Sequence, residues 1–389
     1  MGHSIRCINQ IPPGAIVLLF AVVLLMQCCL ANSQAGSITV GNKLSGSTRA
    51  NTSMELRQNL TIIGDIVVET GTYLMENINL NLTGKIIASN DATVIIRNAT
   101  LFTTAYESIV LADESKFIAE NATIVVNSTS RGDWSEMILG DETTMNITDS
   151  ELYGHLYLIS RQNSRTYVKH SILKGPSPSD DVICGVLTRD NSTARIQDSE
   201  LDTAQAGGNS SIYVYDSIIQ TKGVFAGGNG LVEIENSLVG SVDTPPWLSD
   251  NSTLRILNST ASTISFRGLT LTVEDSRVTD WLQVQGNSTA WLTNVSASHV
   301  TAINNATIWL INSYSGAINT RDQGRVYVGW QLPLFGIVAV PHTWLPILQG
   351  IAVLAALVLI IALLVFLNRR WKKWQLQKLK QYSQTSPQS

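Results

Sequence analysis

The chain has 389 residues, of which 44% are hydrophobic and only 14% charged, and its formal net charge is -4. The low charged fraction argues against a disordered protein, and the acidic balance argues against a nucleic-acid-binding protein. The length allows one elongated domain or about two to three compact ones.

The N-terminal residues have the order of a secretory signal peptide. A basic residue precedes an uninterrupted apolar run at residues 15–26, and small residues follow this run. We therefore assign residues 1–31 to a signal peptide and residues 32–58 to a lead-in and cap. An uncleaved membrane anchor is the alternative, because apolar residues continue as far as Leu30.

A second apolar segment lies near the C-terminus, at residues 345–367. It contains no charge, and as a helix it would be about 35 Å long, enough to cross a bilayer. Trp344 and Trp371 flank it, and an Arg-Arg-Trp-Lys-Lys cluster follows. Since basic residues beside a span stay in the cytoplasm, residues 368–389 are the predicted cytoplasmic tail. Residues 332–344 are the predicted juxtamembrane connector.

The middle of the chain is a repeat. A dipeptide of Asn or Asp followed by Ser, with variants, marks each unit about 21 residues after the last. Positions two and four before the mark and three after it are apolar, as in Val94, Ile96 and Leu101. This period-two alternation predicts strands with one buried face. The marks are Asn98, Asn121, Asp149, His170, Asp198, Asp216, Asn236, Asn258, Asp275, Asn294 and Asn312.

The marks predict sharp bends between strands, because Asn and Asp tolerate the left-handed backbone conformation. A unit with three short strands cannot bury its apolar face alone. Winding successive units into a coil pairs each strand in parallel with its counterpart about 4.8 Å away. The prediction is an all-β parallel β-helix of about 11–13 coils over residues 59–331, plus one transmembrane helix. A pair of β-sandwiches is the alternative, which the single repeat length disfavours.

The segments NSTARIQDSEL, NSSIYVYDSII and NSTLRILNST carry the repeat most clearly. They resemble the right-handed parallel β-helix of the pectin-lyase-like superfamily. The resemblance covers roughly the whole repeat region and implies an architecture rather than an activity. The pectin-degrading relatives of this fold carry an Asn-Thr-Asp triplet, a paired Asp and a Gly-His-Gly. Only a paired Asp is present in this chain, at Asp180 and Asp181.

Glycosylation motifs and cysteine usage agree with an exported middle segment. Cys184 is the one cysteine beyond residues 1–31, so no intrachain disulfide can form after cleavage, and we expect an inert buried thiol. Of the Asn-x-Ser/Thr triplets, those at the bends (Asn98, Asn121, Asn258 and Asn294) are predicted to be poorly modified. The predicted N-glycosylation sites are Asn51, Asn59, Asn81, Asn127, Asn146, Asn191, Asn209, Asn251, Asn287 and Asn305.

The position three residues before each mark is predicted to face outward and forms a row of aromatic and charged side chains. Exposed aromatic rings stack on sugar rings, and Arg or Glu can bind hydroxyl groups. The alternative is an aromatic ladder that only stabilises the sheet. The row contains Tyr167, Arg195, Tyr213, Glu233, Arg255, Thr272, Trp291 and Trp309. Its candidate glycan-binding residues are Tyr167, Tyr213, Trp291 and Trp309.

Carboxylates are the other candidate chemistry. Asp198 and Asp216 are neighbours in the row of bends, which also contains Asp149 and Asp275. Such a row could bind calcium or supply a glycosidase pair, but a ladder of turn residues explains it more simply. No metalloprotease, phosphate-loop or serine-hydrolase motif is present. We therefore predict no catalytic residue, no metal ligand and no cofactor.

Together these patterns predict a non-enzymatic, single-pass glycoprotein of the cell membrane, with the bulk of the chain extracellular and its C-terminus cytoplasmic. Its exterior would be a rigid stalk for envelope structure, adhesion or glycan binding. The expected partners are the membrane and a polysaccharide or surface glycoprotein. A surface-tethered polysaccharide lyase or glycoside hydrolase is the alternative.

Overall fold

The chain folds as a parallel β-solenoid of about 13 coils, followed by one long apolar helix. The computed structural model describes residues 38–40, 43–127, 135–175, 183–244, 251–332 and 336–384. This confirms the all-β prediction with a single C-terminal helix.

The strands are numbered in chain order. The first third is β1 Ile38–Val40, β2 Lys43–Ser45, β3 Thr48–Ala50, β4 Met54–Leu56, β5 Leu60–Ile63, β6 Ile66–Val68, β7 Thr72–Glu76, β8 Asn79–Leu82, β9 Ile86–Ala88, β10 Thr93–Arg97, β11 Thr100–Thr103, β12 Glu107–Leu111 and β13 Lys116–Glu120. The second third is β14 Thr123–Val126, β15 Ser135–Leu139, β16 Thr144–Thr148, β17 Glu151–Gly154, β18 Leu156–Ser160, β19 Arg165–Lys169, β20 Ile172–Lys174, β21 Cys184–Thr188, β22 Thr193–Gln197, β23 Glu200–Ala206, β24 Ser211–Tyr215 and β25 Ile218–Ala226. The remainder is β26 Leu231–Glu235, β27 Leu238–Asp243, β28 Thr253–Leu257, β29 Thr260–Phe266, β30 Thr270–Glu274, β31 Arg277–Val284, β32 Thr289–Thr293, β33 Ser296–Ile303, β34 Thr307–Ile311, β35 Tyr314–Arg321, β36 Arg325–Leu332 and β37 Gly336–Pro341. A 3-10 helix at His342–Trp344 and the helix α1, Leu345–Gln384, follow.

The coils stack into three faces. Within the described residues, the first face is a 15-stranded sheet that runs from β4 to β36 in parallel, with β37 added antiparallel at its end. The second and third faces form one 22-stranded sheet. From β23 onward, one long strand commonly turns the corner between these two faces, and the register shift inside the β23–β25 pair marks that corner.

Alternating burial fills the interior of the coil. Along β10, Val94 and Ile96 are buried while the three residues that alternate with them are half-buried, and the same pattern recurs on the equivalent strands. The apolar columns of neighbouring coils then touch and form one continuous core. Because each coil covers the apolar residues of the next, the core exists only as a stack.

All eleven predicted bends have the left-handed conformation. Their φ angles lie between 43° and 54°. This conformation is unfavourable for most residues, but Asn and Asp tolerate it. Asn77, which the repeat alignment omits, is a twelfth residue of this kind with a φ of 56°. A second row of left-handed residues, including Asp113, Asp141 and Asp190, forms the corner that precedes the first face.

The serine that follows each bend has a role that the sequence reading did not identify. Ser217 is buried, and its hydroxyl donates to the backbone oxygen of Tyr215 at 2.6 Å. The hydroxyl oxygen of Ser217 in turn accepts from the backbone nitrogen of Ser199 in the preceding coil at 3.1 Å. The pattern repeats along the corner, with acceptors at Ser150, Ser171, Ser199, Ser217, Ser237, Ser259 and Ser276. Each serine thus supplies the backbone donor of one coil with an acceptor from the next.

Both ends of the solenoid differ from the predicted segment boundaries. Residues 43–58, assigned to a lead-in, contain three strands that pair in parallel with β5, β6 and β7. Residues 336–341, assigned to a connector, form a strand paired with β36. Residues 1–37, which include the predicted signal peptide, lie outside the described residues.

The helix α1 has 40 residues and extends past the predicted span into the basic segment. Its part up to Trp374 is long and apolar enough to cross a membrane, and none of its most apolar window is buried in the protein. Extension beyond residue 367 agrees with the good helix propensity of the Leu, Gln and Lys residues there.

Replacing Ser217 with Ala should destabilise the fold by about 1–3 kcal/mol, because the change leaves the buried nitrogen of Ser199 without its acceptor. Chemical unfolding of the full-length protein in detergent measures the loss. Ser211→Ala is the matched control, since that side chain lies on the outer surface of β24 and should leave stability nearly unchanged. Equal losses in both variants would contradict a special role for the corner serines.

Candidate functional site

The outward row predicted from the sequence is a continuous ladder. Tyr167 on β19 pairs with Arg195, and Arg195 pairs with Tyr213. The ladder continues one residue per coil through Glu233, Arg255, Thr272, Trp291 and Trp309, and it ends at Tyr327. We call these nine residues the outer row. Each occupies the third position of a first-face strand, so the parallel register alone places them above one another.

Three aromatic rings stack at the C-terminal end of the outer row. The ring centroids of Trp291 and Trp309 are 5.2 Å apart, and their planes differ by 8°. Trp309 and Tyr327 are closer still, at 4.4 Å and 16°. The two faces of the Trp309 ring are therefore covered by its neighbours. This is the cross-strand aromatic ladder that the sequence offered as the alternative to sugar binding.

Trp291 differs from Trp309 because one of its neighbours is small. It is 37% exposed, and the residue paired with it on the side away from Trp309 is Thr272. The next member of the row, Arg255, lies one coil further along, and its guanidinium is 3.8 Å from a carboxylate oxygen of Glu233. An aromatic face, a short hydroxyl side chain and an ion pair therefore follow one another over four rungs.

The middle of the outer row combines tyrosine and arginine. The rings of Tyr213 and Tyr215 lie parallel with centroids 6.5 Å apart, and the Arg195 guanidinium is 5.0 Å from the centroid of Tyr215. Such a cation–π contact contributes about 0.5–1 kcal/mol at an exposed site. Tyr167 is 41% exposed and lies one coil further from the aromatic stack.

Several carboxylates of the bends contact a side chain of the neighbouring bend. His170 lies between Asp149 and Asp198, with each of its ring nitrogens 3.3 Å from a carboxylate oxygen. Among the described residues, no group of three or more His, Cys, Asp or Glu side chains has an arrangement that could hold a metal ion. The paired Asp180 and Asp181 lie outside the described residues. The arrangement of the bend carboxylates fits a ladder of turn residues.

Cys184 lies in the core, as the sequence reading expected. Burial raises the pKa of its thiol, so the reactive thiolate is disfavoured. The backbone nitrogens of Cys184 and Gly175 donate to one carboxylate oxygen of Asp202, at 3.0 and 2.6 Å. Asp202 therefore ties together the two ends of the loop between β20 and β21.

The geometry separates the glycosylation motifs into two groups. At Asn121, Asn258 and Asn294 the side-chain nitrogen that would carry a sugar donates to the preceding bend, at 2.7 to 2.9 Å. Asn305, predicted to be open, makes a similar bond to Asn287 at 3.1 Å. Other Asn-Ser-Thr motifs lie at the corner that precedes the first face. In the motif of Asn191, for example, the serine is buried and the threonine begins a strand. The residue types that the corners of the fold require thus account for much of the Asn-x-Ser/Thr pattern.

Comparison of the chain with protein-family models, with curated proteins and with solved structures finds no match. The β-solenoid architecture therefore stands on the structure alone.

Sequence reasoning found most of the outer row but not its end. Tyr327 was missed because the residue three positions after it is Trp330 rather than Asn or Asp, so no mark identifies that coil. Tyr215 was missed because it lies at the fifth position of its strand, beside the row instead of in it. The outward alternation of β24 could have shown it.

Replacing Trp309 with Ala should lower stability by about 1–3 kcal/mol, because it removes two ring stacks at once. Trp291→Ala removes one stack and should cost less. Urea unfolding of the full-length protein in detergent gives the free energies, and near-ultraviolet circular dichroism reports the loss of ring coupling. An unchanged stability for Trp309→Ala would contradict the stabilising role of the stack.

Proposed function

We propose that the protein is a non-enzymatic, membrane-anchored stalk at the cell surface, whose outer row binds glycan. The observation that supports the membrane anchor is the continuity between the solenoid and the apolar helix. Strand β37 ends at Pro341, the 3-10 helix occupies the next three residues, and α1 begins at Leu345. A rod whose last strand leads into the span through three residues of 3-10 helix suits a protein that holds a surface at a defined height.

The proposed orientation has the solenoid outside the cell and the basic end of α1 inside. Arg369, Arg370, Lys372 and Lys373 directly follow the apolar part of the helix. Basic residues beside a span are retained on the cytoplasmic side. Export of the solenoid also agrees with the signal-peptide pattern of residues 1–31 and with the many glycosylation motifs.

Glycan binding rests on the part of the outer row between Trp291 and Glu233. The side of Trp291 away from Trp309 is next to Thr272, whose side chain is too short to cover an indole ring. A sugar ring stacked there would have the hydroxyl of Thr272 beneath it and the pair of Arg255 and Glu233 beyond it. Aromatic stacking with flanking charged donors and acceptors is a favourable arrangement for a polyhydroxylated ligand.

Membrane topology is tested on intact cells with a membrane-impermeant maleimide. The variant Arg277→Cys, on the exposed second face, should be labelled from outside, whereas Gln377→Cys should be labelled only after permeabilisation. The parent chain is the control for labelling of the native cysteines. Labelling of Gln377→Cys on intact cells, with protection of Arg277→Cys, would contradict the proposed orientation.

Glycan binding is tested on a glycan array with the full-length protein in detergent. The Trp291→Ala variant should lose binding, while Trp281→Ala should retain it. The control is matched, because both tryptophans are 37% exposed and Trp281 lies on the third face. Equal loss in both variants, or no binding by the parent, would contradict a glycan site in the outer row. Cleavage of a bound polysaccharide would favour the tethered lyase or hydrolase instead.

A further inference from the structure

The solenoid stops where the left-handed bend is missing. Asn312 is the last of the bend residues, and the residue one coil later in the same position is Trp330. A tryptophan does not favour the left-handed conformation, so β36 continues straight through this point to Leu332. Trp330 then pairs with Val338 of β37 in the antiparallel arrangement. No further strand follows on the second and third faces in the described chain, where β35 is the last.

The last coil leaves apolar residues of the core partly uncovered. Val300 is fully buried and Leu310 nearly so, at 0% and 2% exposure, because another coil lies beyond each of them. Their partners one coil later, Ile318 and Val328, are only partly buried. Val340, which pairs with Val328, is also half-buried. Repeat proteins usually close such an end with a polar cap. The described residues beyond β35 contain no such cap on the second and third faces.

Several exposed side chains around this end are of the types that favour a membrane interface. Tyr314 is 70% exposed, Trp330 47% and Trp344 58%. Arg321 and Arg325 are exposed as well. Tyrosine and tryptophan concentrate at the level of the lipid headgroups, and arginine interacts favourably with their phosphates.

The apolar helix begins at the same end. Its first residue, Leu345, follows β37 after the three residues of the 3-10 helix, so the open end and the start of the span are close in the chain. Three residues of 3-10 helix extend only about 6 Å, which is comparable to the thickness of a headgroup layer. A span that starts at the membrane surface therefore holds the last coil at that surface.

We propose that the last coil rests in the headgroup layer of the bilayer, so that lipid closes the open end of the solenoid core. Tyr314, Trp330 and Trp344 would lie among the headgroups, with Arg321 and Arg325 beside lipid phosphates. This inference rests on the proposed function, because it requires that α1 crosses a membrane. It adds that the rod stands on its end, with its long axis directed away from the bilayer, so that the outer row runs away from the surface from Tyr327 in the seated coil.

The test uses nitroxide labels on the full-length protein in phosphatidylcholine vesicles that contain some phosphatidylglycerol. Single cysteines replace Tyr314, Ser296 and Arg277, which are paired in register on three successive coils and so differ mainly in height. The native Cys7, Cys28 and Cys29 are changed to Ser, and Cys184 is kept because it is buried. A fourth label at Leu357→Cys reports on the middle of the span. Power-saturation spectra compare the accessibility of each label to oxygen and to a water-soluble nickel chelate.

The label at Tyr314→Cys should lose nickel accessibility and gain oxygen accessibility relative to the label at Arg277→Cys, with Ser296→Cys between them. Equal, high nickel accessibility at all three positions would overturn the seating of the last coil. If the Leu357→Cys label is shielded from nickel in that case, the membrane span stands and only this inference fails. High nickel accessibility at Leu357→Cys would overturn both. A Tyr314→Phe variant reconstituted in parallel should leave the oxygen and nickel accessibilities of the labels at Ser296→Cys, Arg277→Cys and Leu357→Cys unchanged.

Discussion

In-register stacking is the constraint on which this protein depends, because no single coil can bury its own apolar side chains. Stacking requires every coil to turn at the same place. A left-handed residue, mostly Asn or Asp, makes this turn along one corner, and the serine after it satisfies a backbone donor of the coil before. The local preference of the bend and the long-range contact of the serine act at adjacent positions, so each corner fixes both the direction of the chain and its register.

Much of the fold was predictable because the repeat consists of residue types with strong local conformational preferences. Asn and Asp mark the bends through backbone conformation, and alternation gives the buried face. The serine ladder was not predictable in the same way, because the partner of Ser217 is a backbone nitrogen 18 residues away. Residues 43–58 carry no full mark, so their pairing with β5, β6 and β7 emerged only from the structure.

The candidate site shows a similar division. Register placed the outer row correctly, since one residue per coil at a fixed position must align. Which rings remain accessible depended on side-chain packing, which sequence spacing does not determine: Trp309 is covered on both faces, and Trp291 is next to a threonine. The glycosylation motifs were ambiguous for a related reason. The fold favours Asn, Ser and Thr at the corners, so the residue types that satisfy the backbone there also complete a glycosylation motif.

The repetition of the corner also makes the coil a modular unit of length. Excision of residues 199–216 would join Asp198 directly to Ser217 and so recreate an intact Asp-Ser corner. Each such deletion or duplication would change the reach of the rod by one strand spacing, about 4.8 Å, without altering which side chains face outward in the remaining coils. The length of the solenoid could thus be varied in small, discrete increments by the recombination of whole coils.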